Sequence, residues 1–229
     1  IDSLDPKRGK SQGPAAAINT SAEFQVTEYF PEFAKVADQV CVIRSMQAKI
    51  GVHKPAQYYM RTAYEPRGTI LHPNLGAWGS HYLGRSSNTL PSSVCVNRRS
   101  DQGNGFFPSN YAPLAIGDPS QGINDVKSIG GKSAAAKRLS LMNGLDADFR
   151  KRFKDKGVNA YNGFYDDALT LMKSDELNAF DLAQEPEDQR AAYGNNSFGQ
   201  GCLLARRLVG SGVRFVEVKH DGWDHHKSL

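Results

Sequence analysis

The order of apolar and polar residues along the chain predicts alternating helices and buried strands. Four segments are predicted to form helices, three of them with clear apolar stripes at helical spacing: 27–38, 54–63, 74–83 and 198–209. Short apolar runs rich in β-branched residues predict three buried strands, at 39–44, 90–96 and 213–218. Near both ends of the chain a helix is followed closely by a buried strand, which is half of a βαβ unit. The pattern therefore predicts an α/β fold with a mostly parallel sheet and flanking helices.

The middle of the chain departs from this pattern. From 97 to 132 the sequence is rich in Gly, Pro, Ser, Asn and Asp, which predicts an irregular segment that serves as a functional loop or covers a site. Charged helices are predicted after it, at 134–142, 147–154 and 159–173. We interpret 97–196 as a loop-rich and helical insertion in a single domain over 1–229.

Composition and charge exclude several classes of protein. Hydrophobic residues make up 39% of the 229 residues and charged residues 23%, which fits neither a disordered chain nor a membrane bundle. No segment approaches the roughly 18 consecutive apolar residues of a membrane helix. The net charge of +4 is spread along the chain and does not indicate nucleic-acid binding. Neither a membrane span nor a nucleic-acid partner is therefore expected.

The three cysteines are predicted to be buried small hydrophobic residues without a catalytic role. Cys41, Cys95 and Cys202 each have apolar neighbours in the sequence. A nucleophilic cysteine needs a polar, electropositive environment that lowers the thiol pKa.

A cluster of histidines follows the last predicted strand. His220, Asp224 and His226 lie just beyond 213–218, at the carboxyl end of that strand, where open α/β sheets bind ligands. In an extended backbone Asp224 and His226 point the same way, and a carboxylate with an imidazole suits zinc, manganese or iron. His220 is a candidate further ligand or acid/base group. The alternative interpretation is a solvated tail.

His53 is a candidate for the same site. It follows the predicted strand 39–44 and so would also reach the carboxyl edge of the sheet, although an ordinary loop histidine is an equal alternative. His72 precedes a proline and His81 flanks the apolar stripe of a predicted helix. Both are interpreted as structural or exposed residues.

Several stretches together resemble domain-of-unknown-function family 1501, a group of bacterial exported proteins. Residues 1–7 resemble the family segment I-D-T-F-D-P-K, and 222–226 match G-W-D-x-H. The other stretches are 33–38 running into 43–46, His53 with Pro55 and Ala56, and 202–209 with 212–216. The region from 97 to 173 matches only loosely.

The resemblance implies an alkaline-phosphatase-like fold, in the superfamily of alkaline phosphatases and sulfatases. Members hold divalent metal ions at the carboxyl edge of a parallel sheet and cleave phosphate or sulfate esters. By position in the motifs, Asp224 and His226 correspond to metal ligands, Asp2 is a further candidate ligand, and Ser3 is a candidate nucleophile. Zinc is the first choice of metal, with manganese or calcium as alternatives. The family's twin-arginine export signal implies a periplasmic or secreted protein.

The expected function is therefore metal-dependent hydrolysis of phosphate or sulfate esters, on a small-molecule or polymer substrate. Its catalytic candidates are Ser3 and His53, and its candidate metal ligands are Asp2, His220, Asp224 and His226. The alternative is a non-catalytic exported binding or assembly protein that retains the fold. The family's G-G-x-S-H turn and E-F-G-R-T-P segment are missing from this sequence, so we expect an incomplete domain, the first half of a larger α/β domain.

Overall fold

A computed structural model describes residues 3–98, 103–124, 126, 130–153 and 156–222. The chain divides into two units, 1–51 and 52–229. The expectation of one domain over 1–229, with 97–196 as an insertion, stays a prediction.

The first unit is built around a short antiparallel hairpin. Strands β1 (Ala17–Asn19) and β2 (Gln25–Thr27) pair directly, and Thr20 Oγ1 donates to the Phe24 carbonyl oxygen (2.6 Å) inside the connection. Helix α1 (Pro31–Lys35) begins with a proline, whose fixed φ suits a first helical turn and whose missing N–H is not needed there. Val26 of β2 is fully buried in this unit. Ala37, the first residue of the 3₁₀ turn Ala37–Gln39, is also fully buried.

The predicted strand at 39–44 is wrong, and the predicted helix 27–38 is shorter than expected. Residues 40–48 form neither helix nor strand, and the side chains of Val40 and Ile43 are exposed. Cys41 is exposed too, so its predicted burial is also wrong. Apolar β-branched residues favour a strand only where a neighbouring strand and a packing surface exist. In the part of the chain that the structure describes, no strand pairs with this segment.

The second unit contains most of the helices and the parallel strands. Its helices and strands are α2 (His53–Thr62), α3 (Leu75–Leu83), β3 (Ser93–Val96), β4 (Leu114–Ile116), α4 (Gly131–Arg152), α5 (Lys156–Lys173), α6 (Glu187–Ala192), α7 (Ser197–Gly210) and β5 (Phe215–Val218). Its 3₁₀ turns are Ser109–Tyr111, Asp175–Phe180 and Leu182–Gln184. No helix within the described ranges is both long enough and apolar enough to cross a bilayer.

Three parallel strands form the sheet of the second unit, in the order β4, β3, β5. Val94 pairs with Leu114 on one side and with Val216 on the other, and Val96 pairs with Ile116 and Val218. The predicted α/β class is therefore confirmed, because the second unit combines helices with a parallel sheet. Strand β4 was not predicted, because its three residues are too few to show a period within a Gly- and Pro-rich segment.

Helix α7 covers one face of this sheet with apolar side chains. Leu203, Leu204 and Leu208 are fully buried and belong to one cluster with Val94 and Val96. A Cβ on Gly201 would come within 3.3 Å of Val96 and Val218, so the glycine lets this helix lie close to the strands. The hydrophobic contact between α7 and the sheet is therefore the core of the second unit.

The opposite face of the sheet carries α3. A Cβ on Gly76 would meet the Phe215 ring and Ser93, so α3 also lies close to the strands. The Asn74 side chain caps this helix by accepting a hydrogen bond from the Ala77 N–H (2.8 Å), and Asn196 caps α7 in the same way at Gly199 (2.9 Å). The predicted helices 74–83 and 198–209 are confirmed.

Candidate functional site

The carboxyl edge of the parallel sheet is held together by main-chain hydrogen bonds beyond the strands. The Lys219 N–H donates to the Val96 carbonyl oxygen (3.0 Å), and the Arg98 N–H donates to the Ile116 carbonyl oxygen (2.9 Å). The chain segments that leave the three strands are therefore joined at the edge where parallel α/β sheets bind ligands.

Asn97 joins further segments at this edge. Its Nδ2 donates to the carbonyl oxygens of Lys219 (2.9 Å) and Ser197 (3.1 Å), so it connects the exit of β5 with the start of α7. Its φ is +62°, in the left-handed region that asparagine tolerates better than most residues. Its Oδ1 is buried and has no hydrogen-bond partner among the residues that the structure describes. The Asn97 amide therefore fixes the geometry of the edge.

A charged cluster lies beside the edge, on the α3 face of the sheet. Glu217 accepts from Arg61 of α2, with Nε 2.9 Å from Oε1 and Nη2 3.0 Å from Oε2, and Arg98 Nη2 lies 3.4 Å from Oε1. These three side chains are only about one-fifth exposed, at 20–23%. This partly shielded carboxylate is stabilised by charge-assisted hydrogen bonds from Arg61 and by the nearby positive charge of Arg98. The sequence feature that could have indicated this cluster is Glu217, the single acidic residue in the otherwise apolar strand β5.

His220 lies two residues beyond the end of β5. It is exposed, and its ring lies 4.6 Å from the Phe198 ring of α7, centroid to centroid, at 37°. The neighbouring Asp221 carboxylate pairs with Lys219 Nζ (2.8 Å). The ring contact holds the imidazole of His220 next to the start of α7, at the carboxyl edge of the sheet.

His53 is the first residue of α2 and is exposed. The strand that was expected to carry it to the sheet edge does not form, so that reason for placing it at the site fails. Its role in catalysis stays a prediction.

Ser3 belongs to the first unit, whereas His53 and His220 belong to the second. Ser3 is half-buried, and its carbonyl oxygen accepts from the N–H and the Oγ1 of Thr27, both at 3.1 Å. These two bonds attach its main chain to the end of β2. Asp2, Asp224 and His226 lie outside the described residues.

The interpretation of His72 and His81 as structural or exposed is confirmed. His72 Nδ1 lies 2.8 Å from the Tyr58 hydroxyl, and its ring stacks on Tyr64 with centroids 4.1 Å apart. His81 is exposed, and its ring stacks on Phe107 at 4.4 Å. Both rings are used in aromatic packing.

The cysteines differ from one another in exposure. Cys95 is buried in β3 as predicted, and Cys202 of α7 is half-buried. Burial raises the pKa of the Cys202 thiol above its ordinary value. A raised pKa lowers the thiolate fraction near neutral pH, which agrees with a structural role for Cys202.

A metal centre requires several suitable side chains close together. Within residues 3–98, 103–124, 126, 130–153 and 156–222, no three His, Cys, Asp or Glu side chains come together as a metal site. A catalytic zinc site in a protein uses three side-chain ligands. His220 is the candidate ligand described at the sheet edge, so a complete centre needs at least two of Asp224, His226 and Asp2 as well.

Comparison with known proteins gives one family. The model of the family described as protein of unknown function (DUF1501) matches residues 3–229. No curated protein and no solved structure matches the chain significantly.

Proposed function

This protein belongs to the DUF1501 family, and we propose that it is a metal-dependent hydrolase of phosphate or sulfate esters with an alkaline-phosphatase-like fold. The observation that carries the proposal is the position of 219–222, which leave the parallel sheet at the carboxyl end of β5 and which 223–226 follow in the sequence. Open α/β sheets bind their ligands at this edge. The segment contains two imidazoles and a carboxylate that suit a divalent metal, His220, Asp224 and His226.

In the proposed site, His220, Asp224 and His226 hold the metal, and Asp2 is a further ligand. Zinc is the first choice for this mixture of nitrogen and oxygen ligands, with manganese or calcium as alternatives. A divalent ion so held would supply Lewis-acid stabilisation of the charge on the transferred group.

The chain's own residues have separate roles in this proposal. Ser3 is the nucleophile: its hydroxyl oxygen bonds to the phosphorus or sulfur atom as the bond to the leaving alcohol breaks, and water then hydrolyses the serine ester to release phosphate or sulfate. His53 is the acid/base group that moves the proton of that hydroxyl or of the leaving group. The Asn97 side-chain amide donates to the Lys219 carbonyl oxygen, and the Lys219 N–H donates to the Val96 carbonyl oxygen, so these two bonds hold the start of the ligand-bearing segment at the sheet edge.

The proposed location is the periplasm or the outside of the cell, as in exported members of the family. The competing proposal is an exported binding or assembly protein that keeps the fold without the chemistry. Fold alone does not separate the two, because unrelated functions share one architecture.

The test combines metal analysis with turnover in the purified full-length protein. We expect stoichiometric divalent metal and hydrolysis of 4-nitrophenyl phosphate or sulfate. Asp224→Ala and His226→Ala should lose both the metal and the activity. Ser3→Ala removes the nucleophile and His53→Ala removes the acid/base group, so both should keep the metal and lose turnover by at least about 100-fold.

Asp221→Ala is the matched control, since it removes a neighbouring carboxylate that pairs with Lys219. It should retain metal and activity. A folded wild-type protein with neither metal nor turnover would contradict the proposal and support the binding or assembly protein instead.

A further inference from the structure

The first unit contains a cavity of about 730 Å³ whose lining is mainly polar and charged. All of its lining residues belong to 6–44, and they include the connection between β1 and β2. None of them has a role in the proposed ester hydrolysis, so an inference about this cavity does not depend on that proposal. The cavity is much larger than a single small ion, and its polar lining suits a hydrophilic ligand.

Two arginine side chains end at the wall of this cavity. Arg8 Nη2 donates to Gln25 Oε1 (3.0 Å), and Arg44 Nη2 donates to the Gln25 carbonyl oxygen (3.3 Å). The guanidinium carbon of Arg44 also lies over the Phe24 ring, 5.3 Å from its centroid. The Gln25 amide is fixed in turn, because its Nε2 donates to Asn19 Oδ1 (2.8 Å). Since Gln25 and Phe24 themselves line the cavity, these contacts place both positive charges at its surface.

Both guanidinium groups are accessible to a ligand. Arg8 is exposed, and the side chain of Arg44 is 40% exposed. A guanidinium group has five N–H donors. The contact with Gln25 uses only one terminal nitrogen of each group. Each arginine therefore keeps donors that a ligand in the cavity can reach.

Positive charge exceeds negative charge around the cavity. The Asp5 carboxylate lies beside Arg44, with Oδ1 3.7 Å from Nε, and it also pairs with Lys7. Glu23 is the acidic residue of the lining. The three cations Lys7, Arg8 and Arg44 thus lie near two carboxylates, which leaves one positive charge in excess. The cavity therefore attracts anions.

We propose that this cavity binds a tetrahedral oxyanion, phosphate or sulfate, through the guanidinium groups of Arg8 and Arg44. The fork of N–H donors on a guanidinium matches the spacing of two oxygen atoms on such an anion, which makes the hydrogen bonds charge-assisted and directional. The anion can be a free ion or a group on a larger hydrophilic molecule, since the cavity has room for both.

The test is a titration of the chain with inorganic phosphate, followed by the NMR signals of the Gln25 side-chain amide, which both arginines contact. We expect a saturable shift of these signals, whereas sodium chloride at equal ionic strength should cause none. Glucose 6-phosphate should bind as well, and glucose without the phosphate group should not. Tighter binding of glucose 6-phosphate than of phosphate identifies an anionic group on a larger molecule as the ligand, and equal binding identifies the free ion.

Arg8→Gln and Arg44→Gln should each lower the affinity for phosphate about ten-fold, in the range for a lost hydrogen bond between charged groups. Lys35→Gln is the matched control, because it removes an exposed positive charge from the same unit at a residue outside the cavity lining. It should bind phosphate as the wild type does.

Glu23→Gln should act in the opposite direction. It removes a carboxylate from the cavity lining and should raise the affinity for phosphate about three-fold, in the range for one exposed charge pair. Loss of folding cannot produce tighter binding, so this variant separates a charge effect from damage to the unit. The proposal is overturned if phosphate does not shift the Gln25 signals, if Lys35→Gln weakens binding as much as the arginine variants, or if glucose binds as tightly as glucose 6-phosphate.

Discussion

The two faces of the parallel sheet are built from different chemistry, although the same three strands supply both. Toward α7 the strands present Val94, Val96 and Val218, which pack on leucines. Toward α3 they present Ser93 and, in register with Cys95, Glu217. Apolar packing stabilises without a directional requirement, whereas a carboxylate on a sheet needs particular partners. One face therefore supplies most of the stability, and the other determines which side chains of α2 must lie beside it.

Removing a leucine from the α7 face should have the largest effect. Leu204 is fully buried, so Leu204→Ala should lower the free energy of unfolding by about 2–5 kcal/mol through lost burial and the cavity left behind. Urea denaturation followed by circular dichroism measures the change. Val209→Ala, at an exposed position of the same helix, should cost no more than about 0.5 kcal/mol. Equal costs for the two variants would show that this face is not the core.

Neutralising the carboxylate on the other face should have an intermediate effect. Glu217→Gln leaves Arg61 and Arg98 beside an uncharged group and should lower the free energy of unfolding by about 1–3 kcal/mol. Partial exposure keeps this below the loss for a fully buried pair.

Asp221→Asn provides the comparison for that variant, in the same denaturation experiment. It removes the exposed ion pair with Lys219, which should be worth less than about 1 kcal/mol. If Glu217→Gln costs no more than Asp221→Asn, the charged cluster contributes no more than a surface pair.

Thiol alkylation should show the smallest effect, a difference in rate without a change in fold. Exposed Cys41 should react with iodoacetamide first, and buried Cys95 should stay protected until unfolding. The raised pKa of Cys202 lowers its thiolate fraction, so its rate should continue to rise with pH above the ordinary thiol pKa of about 8.5. Peptide mass spectrometry over pH 7–10 resolves the three sites. Alkylation of native Cys95 as fast as Cys41 would contradict the burial of β3.

The sequence predicted elements whose signal is local. Helices α3 and α7 have capping residues and apolar stripes within their own segments, and β3 and β5 are apolar runs beside them. The segment 39–44 has the same local signal as β5, yet it forms no strand, because a strand also needs a partner that local sequence does not reveal. Strand β4 was missed because only its pairing with β3 identifies it.

The candidate site was predictable only where a residue directly follows a strand. His220 lies just beyond β5, as expected from the order of the sequence. The pairing of Glu217 with Arg61 could not be predicted, since the two residues lie 156 residues apart along the chain. The buried hydroxyl of Ser93, which has no partner among the described residues, is equally hidden from sequence, because it depends on how the neighbouring segments pack.

The amide of Asn97 has a consequence for the order of folding. Its two hydrogen bonds span 100 and 122 residues, so they form only after α7 and β5 have docked on β3. Contacts between residues so distant in sequence have an entropic cost of loop closure, which slows their formation. We therefore expect the carboxyl edge to assemble with or after the docking of α7 and β5 on β3, so that a ligand that binds there meets strands that are already paired.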